Sequence, residues 1–186
     1  MGIRYTVGMD ILTALHPGAL FVIRAPHAAR DAAALLIADL ALRGPLTVLD
    51  GGNRFQAYRV AQYLRRQTTQ VEAAARHMFI SRAFTCYQLL ALLENTPALR
   101  QPCIILDLLG GFYDDHVNER EVRRLLEACL RQVERLSQFA PVIVTLAPPV
   151  TEQRAFMIEQ VCARAERVML QEKPDQIAIQ PALFAI

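Results

Sequence analysis

Several features that proteins use for catalysis or targeting are scarce in this sequence. No two of its four cysteines form a Cys-x-x-Cys pair and the histidines are scattered, so a metal site is not predicted. Only two serines occur, Ser81 and Ser137, and neither lies in the Gly-x-Ser-x-Gly turn of a serine hydrolase. No uncharged apolar run approaches the roughly 18 residues of a membrane helix, and residues 1–10 lack the apolar stretch of a secretory signal. These absences predict a cytosolic protein with reduced cysteines, and the apolar segments around those cysteines predict that they belong to the core.

The composition is that of a folded protein. The chain has 186 residues, of which 53% are hydrophobic and 20% charged, with a formal net charge of +2. This balance excludes a disordered or fibrous chain, and the length suits one domain over residues 1–186. Lys173 is the single lysine among 20 basic residues. Arginine forks suit contacts with carboxylates, phosphates and stacked bases, but composition alone assigns no activity.

Short apolar runs alternate with longer helical patterns along the chain. Strands are predicted at residues 20–24, 46–49, 77–83, 102–106 and 141–146, and helices at 27–42, 55–66, 85–94, 118–138 and 151–165. Residues 168–171 and 176–180 predict a terminal hairpin. The alternation predicts an α/β fold with a mostly parallel sheet, helices on both faces and a C-terminal antiparallel hairpin. The helix at 27–42 is apolar on nearly every side, so it must be buried.

Four stretches, taken in order, resemble the ATPase core of the RecA/RadA recombinases. Residues 48–55, which include Asp50, are similar to that family's second core strand and the helix after it, and residues 80–84 to its Ala-Arg-Ala-Phe segment. Residues 104–107 resemble the Walker B strand, and residues 140–145 the strand that follows. The terminal hairpin, ending at residues 183–186, resembles the family's last strands. The resemblance implies a single RecA-like domain with its ligand site at the carboxyl ends of the strands.

The same alignment indicates that the nucleotide site is degenerate. The phosphate loop corresponds to residues 25–32, which contain no glycine; Asp31 takes the place of the lysine, and Ala32 that of the hydroxyl residue. At about 4 Å and an effective dielectric near 20, this exchange turns about 4 kcal/mol of attraction for phosphate into repulsion. The family's water-activating acid corresponds to Gly52, and only Asp107 of the catalytic set remains. The degenerate site is therefore defined by Ala25, Arg30, Asp31, Ala32, Gly52 and Asp107.

A non-enzyme without a cofactor is the resulting expectation. Asp107 is predicted to cap nearby backbone N–H groups at its strand end rather than to hold magnesium. A divalent-metal enzyme using Asp50 and Asp107 is a lesser alternative, because both carboxylates follow predicted parallel strands.

The loop after Asp107 is a candidate for single-stranded DNA binding, since the family holds DNA in the loops after this strand and the next. Aromatic rings there would stack on bases and arginines would neutralise phosphates. The candidate residues are Phe112, Tyr113, Arg120, Arg123, Arg124 and Arg154. A solvated helix face, with these arginines paired to Glu119, Glu127 and Glu134, is the competing interpretation.

The resemblance implies a pseudo-ATPase accessory protein in homologous recombination or DNA repair. Its expected partner is a recombinase or a RecA-like paralog subunit in a homo- or hetero-oligomer, with weak single-stranded DNA binding as a further expectation. The expected location is the cytoplasm, or the nucleus in a eukaryote, with no membrane contact. A structural assembly subunit unrelated to DNA is the alternative from another class.

Overall fold

The computed structural model describes residues 11–114, 116–149 and 152–171. Six strands in this part of the chain form one sheet in the order β3-β2-β4-β5-β1-β6. Their bounds are β1 Leu20–Arg24, β2 Leu46–Asp50, β3 Met78–Arg82, β4 Cys103–Leu106, β5 Val142–Leu146 and β6 Arg167–Leu170. The helices are α1 Arg30–Arg43, α2 Ala57–Gln67, α3 Val71–Ala75, α4 Cys86–Asn95, α5 Glu119–Ser137 and α6 Ala155–Cys162.

All strand pairs are parallel, which confirms the predicted fold class. The central strands are continuous apolar runs because helices cover both of their faces. β6 pairs in parallel with β1, while the second strand of the predicted hairpin, at residues 176–180, lies outside the described residues. The α/β class with a parallel sheet fits a RecA-like fold, and the antiparallel hairpin stays a prediction.

Alternate residues of the strands belong to two hydrophobic layers, one on each face of the sheet. Val48 and Ile104 pack with α1, α2 and α3 on one face of the sheet. Leu49 and Ile105 pack with α4, α5 and α6 on the other. α1 buries residues around most of its circumference, as its apolar composition predicts. None of the helices in the described ranges combines the length and apolarity that a membrane span requires.

The turn between β1 and α1 differs from the sequence prediction. The predicted helix at 27–42 starts only at Arg30, because Pro26–Ala29 form a 3-10 turn. His27, Ala28 and Ala29 all have φ between 53° and 54°, in the left-handed region. This is the segment that corresponds to the phosphate loop, and it adopts positive φ without a single glycine. Each such residue costs about 1–2 kcal/mol relative to a right-handed conformation.

The strain at this turn gives a first testable prediction. We expect His27→Gly to raise the free energy of unfolding by about 1 kcal/mol, because His27 is exposed and glycine adopts φ 54° without a Cβ clash. Urea denaturation followed by circular dichroism measures the change. Ala32→Gly, in the regular part of α1, is the matched control and should lower stability by about 1 kcal/mol. A loss of stability in both variants would contradict the prediction.

Candidate functional site

Two buried carboxylates lie side by side at the carboxyl ends of the central strands. Asp50 is the last residue of β2, and Asp107 directly follows Leu106, the last residue of β4. β2 and β4 are neighbours, and the Gly51 N–H donates to the Leu106 carbonyl at 2.8 Å. Both aspartates are fully buried, at 0% exposure. Buried carboxylates require partners, so their contacts determine what this site does.

The hydrogen bonds of Asp50 hold the chain that leaves β2. Its Oδ1 accepts the Arg54 N–H at 2.7 Å, and its Oδ2 accepts the Phe55 N–H at 3.1 Å. Arg82, opposite Asp50 in the β2–β3 register, donates from Nε to Oδ2 at 3.0 Å. Both oxygens of Asp50 are therefore used inside the fold.

Asp107 is held by a guanidinium group as well. Arg54 donates from Nε to Oδ2 at 2.7 Å, and the Ala147 N–H approaches Oδ1 at 3.3 Å. The Asp107 N–H donates to Thr145 Oγ1 at 2.9 Å, which supports its left-handed backbone with φ 50°. A backbone-capping role was predicted for Asp107, whereas its ion pair with Arg54 was not.

Each of the two carboxylates is already bound by one arginine, Asp107 by Arg54 and Asp50 by Arg82. A metal ion bound to Asp50 and Asp107 would have to displace Arg54 and Arg82 from distances of 2.7 and 3.0 Å. Among the described residues, no group of three or more His, Cys, Asp or Glu side chains is placed to hold a metal. The geometry therefore argues against the two-carboxylate metal site.

Gly52 is packed too closely against Asp107 to carry a side chain. A Cβ atom on Gly52 would lie 2.5 Å from both Cβ and Oδ2 of Asp107. Gly110 packs against Gly52 in turn, because its own Cβ would lie 2.8 Å from the Gly52 Cα. A cleft of about 180 Å³ remains beside Asp107, between the loops that follow β2 and β4. Close backbone packing fills the space that a catalytic side chain would need.

The residues that replace the phosphate loop do not face this cleft as a group. Ala25 is buried and donates its N–H to the Leu146 carbonyl at 3.1 Å. Asp31 has an exposed side chain, 66% accessible, which lies 3.7 Å from Arg59 of α2. Arg30 and Ala32, in the first turn of α1, are each half-buried. The anionic side chain at the lysine position is thus a surface residue of α1.

The structure corrects the predicted DNA-binding role of Phe112. Phe112 is fully buried in the hydrophobic layer under α4 and α5, so its ring cannot stack on a base. Tyr113 is half-buried beside it, and burial raises the pKa of its phenol to about 12. The His116 N–H bound to the Asp114 carboxylate lowers the pKa of that acid, so the loop keeps a negative charge at neutral pH.

Arg154 also has an internal role. Its Nη1 donates to the Phe112 carbonyl at 3.0 Å, and its Nη2 donates to the carbonyls of Val117 at 3.0 Å and Asp114 at 3.4 Å. The Arg154 side chain thus joins the loop after β4 to the segment that precedes α6. A contact between Arg154 and a DNA phosphate, as predicted from the sequence, would break these hydrogen bonds.

Two of the three candidate arginines of α5, Arg123 and Arg124, form ion pairs on the helix surface. Arg123 pairs with Glu119 at 2.6 Å and covers the Phe156 ring at 3.9 Å from its centroid. Arg124 pairs with Glu121 at 2.7 Å. Arg120 is exposed and makes no side-chain contact of this kind with the described residues. This arrangement matches the competing interpretation of a solvated, self-paired helix face, although Arg124 pairs with Glu121 rather than with one of the three acids expected.

The role of Arg154 gives a second testable prediction. We expect Arg154→Ala to lower the free energy of unfolding by about 2 kcal/mol, because the loop carbonyls lose a charged donor. Arg120→Ala, from the same predicted set, should change it by less than about 0.5 kcal/mol. Chemical denaturation of both variants makes the comparison. Equal effects would show that Arg154 is an ordinary surface arginine.

Sequence reasoning missed a set of exposed apolar side chains at the β3 edge of the sheet. β3 forms one edge of the described sheet, and Phe79 and Ile80 within it are 57% and 41% exposed. Phe84 and Tyr87, in the next turn and the start of α4, are also exposed. We refer to Phe79, Ile80, Phe84 and Tyr87 as the β3 edge residues; Phe79 and Ile80 follow each other in the strand and so lie on opposite faces of the sheet. The sequence signal for them was a run of large apolar residues in β3, a strand whose outer side is not paired with any later strand of the described sheet.

Comparison with known proteins gives no further assignment: the chain matches no protein-family model and no curated protein.

Proposed function

We propose that this protein is a non-catalytic, RecA-like accessory subunit that acts in homologous recombination or DNA repair in the cytoplasm. It binds a recombinase or a recombinase paralog and does not hydrolyse ATP. The ordered resemblance along the sequence supports the family. The observation that carries the loss of catalysis is the Arg54–Asp107 ion pair, packed against Gly52.

The electrostatics of the site support a protein without ATPase activity. Asp107 is the one acid retained from the family's set, and Arg54 neutralises it at 2.7 Å. Magnesium bound by a nucleotide would compete with a partly buried guanidinium that is already hydrogen-bonded to the fully buried carboxylate. No lysine or glycine loop is available to compensate, because residues 25–32 contain neither.

The β3 edge residues support the assembly role. These four large apolar side chains are exposed within nine positions at one edge of the sheet, on both of its faces, so a partner that covers this edge would bury them. An edge strand also offers unpaired backbone groups to a partner. The same observation favours the second candidate, an assembly subunit unrelated to DNA, so the identity of the partner decides between the two.

Site-specific photo-crosslinking in cells tests the proposal. A photoreactive amino acid at Phe84 should crosslink a RecA-like protein, identified by mass spectrometry, and Ile80→Glu should abolish the product. The same probe at Tyr58, an exposed aromatic residue of α2, is the matched control and should give no such product. Crosslinks only to proteins outside recombination and repair would favour the second candidate.

An ATPase assay tests the catalytic half of the proposal separately. Purified protein should release phosphate from Mg-ATP at the rate of a buffer blank. A rate above background that Asp107→Ala abolishes would overturn it.

A further inference from the structure

Four exposed arginines lie together at the end of the fold opposite the strand-end carboxylates. They are Arg43, Arg65, Arg66 and Arg76, which we call the amino-end cluster. Arg43 ends α1, Arg65 and Arg66 belong to the last turn of α2, and Arg76 follows α3 directly. In a parallel sheet, each helix returns the chain to the amino ends of the strands, so the topology brings these helix ends to one edge.

Specific contacts join the segments that carry the cluster. The Gln67 side-chain amide donates to Asp39 Oδ1 at 2.9 Å, which joins the end of α2 to the last part of α1. The His77 ring nitrogen lies 2.7 Å from the Ala41 carbonyl, which joins the residue after Arg76 to the same turn of α1. The Leu46 N–H then donates to the His77 carbonyl at 2.9 Å. Three cluster arginines therefore lie one or two residues from these contacts: Arg43 from Ala41, Arg66 from Gln67 and Arg76 from His77.

The cluster carries charge that the described part of the fold does not neutralise. The side chains of these four arginines make no ion pair or hydrogen bond with any described residue, whereas Arg54, Arg82, Arg123 and Arg124 each hold a carboxylate. The acids on the same helix ends are Asp39, which accepts the Gln67 amide, and Glu72, which is exposed. Four cations face two anions, so this edge has a positive excess.

We propose that the amino-end cluster binds the phosphate backbone of nucleic acid. Unpaired guanidinium groups suit phosphate oxygens, because each presents a planar fork of donors. Exposed Thr69 and Gln70, between α2 and α3, supply neutral donors beside a groove of about 480 Å³ that Arg76 also lines. The surroundings are polar, whereas a protein interface of ordinary type has an apolar centre with few charges. Contacts of this kind position a strand and carry no sequence preference.

This inference deepens the proposed function and rests on it for the choice of DNA as ligand. It moves the expected DNA contact from residues 112–124, where Arg123 and Arg124 are paired with glutamates, to the opposite edge of the sheet. Two consecutive arginine pairs on exposed helix surfaces allow a direct comparison of the two locations: Arg65 and Arg66 on α2, and Arg123 and Arg124 on α5.

Fluorescence anisotropy of a labelled 30-nucleotide single strand, titrated with the full chain, tests the inference. Four phosphate contacts predict a slope of log K against log salt near −2.8, or roughly a 50-fold loss of affinity between 50 and 200 mM salt. Arg65→Gln with Arg66→Gln should weaken binding at least about fivefold at 50 mM salt and halve that slope. Arg123→Gln with Arg124→Gln removes the same charge and should change affinity less than twofold.

Three results would overturn the inference. They are no binding by the unmodified chain at tens of micromolar in low salt, equal losses in the two double variants, and equally tight binding of polyglutamate, which would indicate an acidic protein partner. Circular dichroism confirms that both variants fold. Failure here together with a recombinase crosslink at Phe84 would remove only the nucleic-acid surface, whereas DNA binding without that crosslink would remove only the proposed partner.

Discussion

Arg54→Met is expected to lower the free energy of unfolding by about 3 kcal/mol, although Arg54 is a partly exposed loop residue. The substitution leaves the Asp107 carboxylate fully buried with only the Ala147 N–H, at 3.3 Å, as a side-chain partner. Removing one member of such a pair costs about 3–5 kcal/mol when both are buried, and the 27% exposure of Arg54 places the expected loss at the lower end. Urea denaturation at pH 7 measures it.

Two further variants separate charge from packing. Asp107→Asn in the Arg54→Met background should recover most of the lost stability, because the uncompensated charge is removed. Arg59→Met is the matched control: its pair with Asp31 spans 3.7 Å between half-exposed groups, so the loss should stay below about 0.5 kcal/mol. If Arg54→Met and Arg59→Met lower the free energy of unfolding equally, the Arg54–Asp107 ion pair contributes no more to stability than an exposed surface pair does.

A second large effect is expected from Gly52→Ala, a change of one methyl group. The new Cβ would lie 2.5 Å from Cβ and Oδ2 of Asp107, a distance that no relaxed pair of carbon atoms adopts. Overpacking in a close-packed region costs about 1–3 kcal/mol, and the contact with the Asp107 side chain, which is buried and held by Arg54, places Gly52→Ala near 3 kcal/mol. Gly51→Ala should cost less, because its nearest neighbour, the Asp107 carbonyl oxygen, is 3.2 Å away. Thermal and urea unfolding report both values.

A substitution at Asp107, the residue that the new Cβ would contact, should compensate for Gly52→Ala. Asp107→Gly removes the atoms that a Cβ on Gly52 would meet, and glycine adopts φ 50° readily. The Gly52→Ala and Asp107→Gly double variant should therefore be more stable than the two separate losses imply. Additive losses would mean that Gly52 matters for another reason. By the same geometry, Gly52→Glu should damage the fold and restore no ATPase activity.

Local sequence patterns were sufficient to predict the sheet. β1, β4 and β5 are continuous apolar runs, and such runs have few alternatives to a buried parallel strand. The ends of helices were predicted less well. Residues 27–29 continue an alanine-rich helical pattern, yet they are left-handed, because the turn out of β1 must bring Ala25 to the Leu146 carbonyl. α3 was not predicted, since five residues are too few to show a helical period.

The two acids of the candidate site could be predicted from the sequence, but their arginine partners could not. Asp50 and Asp107 follow recognisable strands, so their position at neighbouring strand ends could be inferred. The Arg54–Asp107 pair joins residues 53 positions apart, and nothing in the sequence distinguishes Arg54 from the other arginines. Phe112 was assigned to a binding loop because the resembled family holds DNA in the loop after this strand and an aromatic ring there would stack on a base. Its burial depends on α4 and α5 closing over that loop, which is a tertiary effect.

The position of β1 between β5 and β6 has a consequence for how the chain acquires its structure during synthesis. β1 is the first of the described strands to leave the ribosome, but both of its neighbours follow about 120 residues or more later. At about 5–20 residues per second, β1 waits roughly 6–24 s for β5. β2, β3 and β4 are neighbours in sequence and in the sheet, so they can assemble first. During that interval the apolar segment Leu20–Arg24 has no native strand to pair with, which makes it the part of the nascent chain most in need of a chaperone.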